Sequence, residues 1–159
     1  MSLRHRKDTP APPVLKLDEF MPFLLSTASN AVSNLVAQAY QTQFGLSIPQ
    51  WRILAVLAER PGLVQQELCD RTLMDKVTVS RAVQGLLTRR LVGRSPHESD
   101  RRSHVLVLSE AGKRLVSEIA PATLAIDKAV FEAFSRKELE TFAALLARAR
   151  TAAQALANS

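Results

Sequence analysis

The 159-residue chain predicts a mainly α-helical fold with one small β-hairpin. Three observations carry this. Glycine is scarce, at 5 residues, while alanine and leucine are abundant, which favours helices. Apolar residues recur at helical spacing through most of the chain. The exception runs from Leu91 to Leu108, where Leu91–Arg94 and His104–Leu108 supply apolar and β-branched residues on either side of the polar stretch SPHESDRRS. That is the pattern of a hairpin with a solvated tip. The length suits one domain with a core of its own.

In chain order, residues 1–16 (MSLRHRKDTPAPPVLK) mix charge and proline without periodicity and read as a mobile basic arm. From Asp18 to about Phe44 the spacing predicts one long helix, with Phe20, Leu24, Ala28, Ala31, Leu35 and Ala39 on a stripe widened by Val32, Val36 and Tyr40. Gly45 supplies the stop. Ser47-Ile-Pro-Gln50 matches a capping box and starts a helix with Trp51, Leu54, Ala55 and Ala58 inward, ended by Arg60-Pro61-Gly62. A short helix at about Gln65–Thr72 turns Leu68 and Cys69 inward. After the Leu73-Met74 link another begins at the N-cap Asp75, with Val79, Ala82, Val83, Leu86 and Leu87 facing a core. Two short helices joined this closely are a helix-turn-helix, and the hairpin after them makes it winged.

Ser109 and Glu110 open a further helix, with Leu115, Ile119, Ala122, Ile126 and Val130 on its stripe. Pro121 is expected to bend or interrupt it. Ser135-Arg-Lys-Glu138 is a second capping box, starting a last helix with Leu139, Phe142, Leu145, Leu146, Ala149 and Leu156 inward. The organisation that follows is a winged helix-turn-helix at 47–108 and dimerisation helices at 17–46 and 109–159. The terminal apolar stripes exceed what a small winged unit covers, and left open they would aggregate.

The outer face of the helix after Asp75 carries the chemistry. Val77, Ser80, Arg81, Gln84 and Thr88 share it, and Lys76 and Thr78 sit in the first turn. Short hydroxyls, an amide and a guanidinium reach base edges and phosphates in a major groove. Arg101 and Arg102 at the hairpin tip suit a flanking minor groove, and Asp100, two residues from Arg102, would fix the direction of its guanidinium. A net charge of +6 and a pI near 10.1 favour a polyanionic partner.

No nucleophile–base pair, Gly-rich phosphate loop or metal-binding set is visible, so neither an enzyme nor a cofactor is expected. His5, His97 and His104 are too dispersed for a metal site. The lone cysteine, Cys69, reads as a structural thiol. No apolar run approaches the ~20 residues of a membrane span, and the start lacks a signal-peptide core, so a cytoplasmic protein is expected.

From about Asp18 to Leu156 the chain resembles the MarR-type winged-helix transcriptional regulators. The segments that carry the likeness are SIPQWRILAVLAERPG, the helix pair VQQELCDRT–LMDKVTVSRAVQGLLTRRLV, and the wing DRRSHVLVLSEAG, in which Asp100 and Arg102 occupy an Asp-x-Arg element. The resemblance implies a homodimer on double-stranded DNA with an inverted-repeat operator, acting as a repressor. It also implies a small aromatic or phenolic acid as effector, and Trp51 and Arg52 are the candidates to meet it. Three departures follow: Val64 stands where many relatives have a hydroxyl N-cap, and the first helix has neither the reactive cysteine of the family's peroxide sensors nor the tryptophan of its urate-responsive branch. The alternative is a constitutive architectural or protein-interaction winged helix without an effector.

Overall fold

A computed structural model describes residues 14–96 and 104–157. The basic arm up to residue 13, His97 and the wing residues Asp100, Arg101 and Arg102 lie outside the described residues. In order come α1 (Met21–Ala37), α2 (Gln41–Phe44), α3 (Ile48–Glu59), α4 (Gln65–Thr72), α5 (Lys76–Thr88), β1 (Val92–Pro96), β2 (His104–Leu108), α6 (Glu110–Phe131) and α7 (Arg136–Ala157).

The long N-terminal helix expected from Asp18 to Phe44 is three pieces. Leu17–Glu19 is a 3-10 turn, and α1 starts only at Met21, with Pro22 in its tolerated first turn. The helix then stops at Ala37. The break lets Tyr40, 1% exposed, turn into the core and stack on Trp51 at 5.3 Å between ring centroids. Helical periodicity continues through residues 38–40, so the pattern alone did not betray the break.

The winged unit forms as its local signals predict. Ser47 Oγ accepts from the Gln50 amide and Gln50 Oε1 accepts from the Ser47 amide, closing the capping box of α3. α4 has only half a box: Glu67 accepts from the Val64 amide at 2.9 Å, and a valine side chain can return nothing. Ile53, Leu54, Leu57, Leu68, Val79, Leu86 and Val92 pack into one buried cluster. The hairpin is antiparallel, pairing Val92 with Leu108 and Pro96 with His104. Leu63 joins it: its carbonyl accepts from Leu106 N–H at 2.8 Å, and the Gly62 amide donates to the Leu106 carbonyl, which ties the α3–α4 loop to the wing.

Pro121 does not interrupt α6, which runs unbroken to Phe131. Ala122, expected on its inner stripe, is exposed. Gly112, in the first turn, lets α6 approach the wing, because a Cβ there would meet the Leu91 carbonyl. The Ser135–Glu138 box caps α7 as read. Yet α7 buries no residue: Phe142, Leu145, Leu146, Ala149 and Leu156, read as inward, are exposed within the single chain, and Leu139 is half-buried. Much of α1 is equally open, from Phe20 to Leu25.

Candidate nucleic-acid interface

Every feature of α5 follows from where its two faces point. Asp75 caps it, Oδ1 accepting from the Thr78 amide at 2.8 Å and Oδ2 from the Thr78 hydroxyl at 2.6 Å. Those bonds hold the Asp75 carboxyl below its ordinary value. Val79, Ala82, Val83 and Leu86 are buried against the rest of the unit. The opposite face is open: Lys76, Val77, Ser80, Arg81, Gln84 and Thr88 are all exposed. Lys76, Ser80, Arg81 and the Gln84 side chain have no hydrogen-bond partner among the described residues, so their donors face outward uncommitted. Thr78 is the exception on this surface, half-buried with its hydroxyl given to Asp75. The Thr88 hydroxyl donates to the Gln84 carbonyl.

The far end of α5 closes in a motif that sequence reasoning missed. The Arg90 amide donates to the Leu87 carbonyl and the Leu91 amide to the Leu86 carbonyl, the two bonds of a Schellman ending. Arg90 takes the left-handed position, φ 55°, that glycine usually fills. Its carbonyl accepts from Ser109 Oγ at 2.7 Å, joining the turn to the start of α6. Arg89, one residue earlier, donates to the Phe44 carbonyl at 2.7 Å and to the Gly45 carbonyl at 3.2 Å. In the wing, Arg94 and His104 are exposed, one on each strand, and Arg94 was not singled out from the sequence.

Trp51 and Arg52 stand at the junction of the N-terminal helices with the winged unit. Trp51 is half-buried on Tyr40, and Arg52 donates to Ser33 Oγ at 3.3 Å, linking α3 back to α1. Burial raises the Tyr40 phenol above its ordinary value, and the nearby Arg52 charge offsets part of that rise. Two ring faces, a phenol, a hydroxyl and a guanidinium thus meet in one corner. Ser33 and Tyr40 were not foreseen there, since only folding brings residues on α1 beside α3. Cys69 is buried on α4. Among the described residues, no three His, Cys, Asp or Glu side chains gather as a metal site, and no helix is long and apolar enough to cross a membrane.

Residues 44–103 match the family model described as the MarR family. The chain is 30% identical over 115 residues to the HTH-type transcriptional repressor YetL of Bacillus subtilis (strain 168), an alignment spanning 71% of this chain and 69% of that repressor. The fold is similar to the crystal structure of a MarR/EmrR family transcriptional regulator from Acinetobacter sp. ADP1, with a TM-score of 0.81 at 24% identity, over 88% of this chain and 99% of that one. It is also similar to CouR from Rhodococcus jostii RHA1 bound to p-coumaroyl-CoA, with a TM-score of 0.74 at 25% identity, over 84% and 93% of the two chains.

Proposed function

The chain belongs to the MarR family of transcriptional regulators, and from that premise we propose that it is a homodimeric repressor released from double-stranded DNA by a small aromatic acid. The observation that carries this reading is the outer face of α5, where Lys76, Ser80, Arg81 and Gln84 project uncommitted polar groups from a helix whose other face is buried. Arg81 and Gln84 read base edges, while Lys76, Val77, Thr78 and Ser80 seat the first turns against the groove. Arg101 and Arg102 take the flanking minor groove, with Asp100 orienting Arg102. The units are a winged reader at 47–108 and dimer helices at 17–46 and 109–159, and the exposed apolar faces of α1 and α7 support pairing with a second copy.

A two-fold dimer presents two recognition helices about one DNA turn apart, roughly 34 Å, so the operator is an inverted repeat with half-site centres about 10 base pairs apart. Site selection from random DNA, followed by insertion of about half a turn between half-sites, tests this. Recovery of a single unrepeated site would overturn it. Within a selected site, Arg81→Ala is expected to cost about 1–3 kcal/mol and relax base preference. Arg102→Ala is expected to reduce the salt slope by about one unit.

The corner formed by Trp51, Arg52 and Ser33, with Tyr40 buried behind Trp51, is proposed to take the effector, with the ring against Trp51 and the carboxylate on Arg52. The ligand of CouR, a p-coumaroyl thioester, shows an aromatic acid derivative on a related fold. A bound effector raises the melting temperature by mass action, about 2.7 kcal/mol of stabilisation at a hundredfold excess over Kd. A screen of aromatic acids in which none shifts melting or DNA release would favour a constitutive winged helix.

A further inference from the structure

We propose that Arg89 is a positioning residue that couples the recognition helix to the N-terminal helices α1 and α2, and so sets how strictly the protein requires one half-site spacing. The inference rests on the two-fold DNA-binding reading above.

Three observations meet at the segment from Phe44 to Gln50, which joins α2 to α3. First, Arg89 at the C-cap of α5 donates to the carbonyls of Phe44, the last residue of α2, and Gly45, its C-cap. Carbonyls at a helix end carry partial negative charge and lack internal partners, so a guanidinium is well matched to them. Its planar fork reaches both carbonyls at once, which an ammonium on a flexible stem does less well. Second, Gly85, one turn before Arg89, lies against the Gln50 side chain so closely that a Cβ would stand 2.6 Å from Nε2. Gln50 is itself held by the capping box of α3. Third, Tyr40 and Trp51, on either side of the segment, are stacked on each other.

The C-terminal half of α5 is therefore fastened to the end of α2, while its N-terminal half projects toward the proposed groove. A displacement of α1 and α2 is carried into α5 through Arg89, and in a dimer it changes the separation of the two recognition helices. With the fork removed, the winged unit samples a wider range of orientations relative to α1 and α2. The protein then accepts operators whose spacing the wild type rejects.

The experiment measures affinity for a selected operator and for versions with two base pairs added or removed between half-sites, for wild type, Arg89→Met and Arg89→Lys. Thermal unfolding confirms that each variant is folded. Arg89→Met is expected to reduce the ratio between best and altered spacing by about tenfold, an ordinary coupling factor. Preference among half-site bases should stay unchanged, and Arg89→Lys should fall between. Loss of affinity by one factor at every spacing, with a lower salt slope, would make Arg89 a phosphate contact and overturn the inference. Equal loss at every spacing with an unchanged salt slope would reduce it to a stability effect and overturn it too. A wild type that binds a repeat but ignores its spacing refutes the coupling alone, whereas a wild type that selects no repeat refutes the dimeric reading beneath it.

Discussion

The winged unit and the terminal helices are both rich in leucine, yet one is closed and the other open. Ile53, Leu54, Leu57, Leu68, Val79 and Leu86 are almost wholly buried within their own chain. On α1 and α7, Phe23, Leu24, Leu25, Phe142, Leu145 and Leu146 stay exposed, and Leu156 reaches 78%. Both sets are patterned for burial, but only the first has its partner in the same polypeptide. Covering one such side chain is worth about 1.5–3 kcal/mol, so two long helices left open leave a large driving force for association. The winged unit thus covers its own apolar residues, whereas the terminal helices leave theirs open, as the proposed dimer requires.

The largest expected effect comes from breaking the open side alone. Leu24→Glu combined with Leu145→Glu places charges on the exposed faces of α1 and α7. The proposed dimer should become a monomer by sedimentation, and affinity for an inverted repeat should fall by about 10²–10⁴, the advantage of two tethered contacts over one. Trp51 fluorescence should barely change, since Trp51 sits at the boundary of the intact unit. A variant that stays dimeric would show that these faces are not the interface.

Next in size is a matched pair of truncations. Leu54→Ala removes a fully buried side chain and should cost about 2–5 kcal/mol in denaturant unfolding. Leu156→Ala, nearly bare in the single chain, should stay within about 0.5 kcal/mol. A large cost at Leu156 would mean that the second copy covers the far end of α7 as well.

The same contrast explains what was legible in the sequence. The boxes at Ser47–Gln50 and Ser135–Glu138 and the caps at Asp75 and Ser109 are contacts between residues three apart, so type and spacing reveal them. Contacts made by tertiary folding left no such trace. Arg89 meets carbonyls more than forty positions away, Leu63 joins a hairpin it does not flank, and Tyr40 turns inward from the middle of a continuous helical pattern. The α7 stripe read as inward is open in the single chain, because periodicity marks an apolar face without saying what covers it. At the site, the open face of α5 was legible because it is the complement of a buried stripe. The Arg52–Ser33 link was not.

A smaller effect sharpens the closed side. Arg90 occupies a left-handed position, where a side chain costs about 1–2 kcal/mol that glycine avoids. Glycine has more freedom to lose on folding, roughly 0.5–1 kcal/mol, so Arg90→Gly should stabilise by up to about 1 kcal/mol. Its bond from Ser109 goes to the main-chain carbonyl and survives the change. A lower melting temperature would show that the Arg90 side chain contributes more than its backbone strain removes.

The smallest effect separates the two regions by pH. Asp75 in the winged unit and Glu138 in the first turn of α7 are both held below their ordinary values, Asp75 by the Thr78 hydroxyl and amide, Glu138 by the Ser135 hydroxyl and amide. The sign is the same for each: a carboxylate depressed on folding lends its stability in full above its unfolded value and loses it as pH falls through the folded one. Whole-molecule unfolding therefore sums the two, and only local readouts divide them. The Thr78 amide donates to Asp75, and the Ser135 amide donates to Glu138, so hydrogen-exchange protection at these amides reports each cap alone. Acidification below the ordinary aspartate value, near 3.8, should open the first turn of α5 at Thr78. Asp75→Asn keeps an oxygen acceptor but cannot titrate, so it should flatten the acid response at Thr78 while leaving that at Ser135 in place. If Asp75→Asn retained the acid opening at Thr78, the response would belong to the unit as a whole and not to its cap.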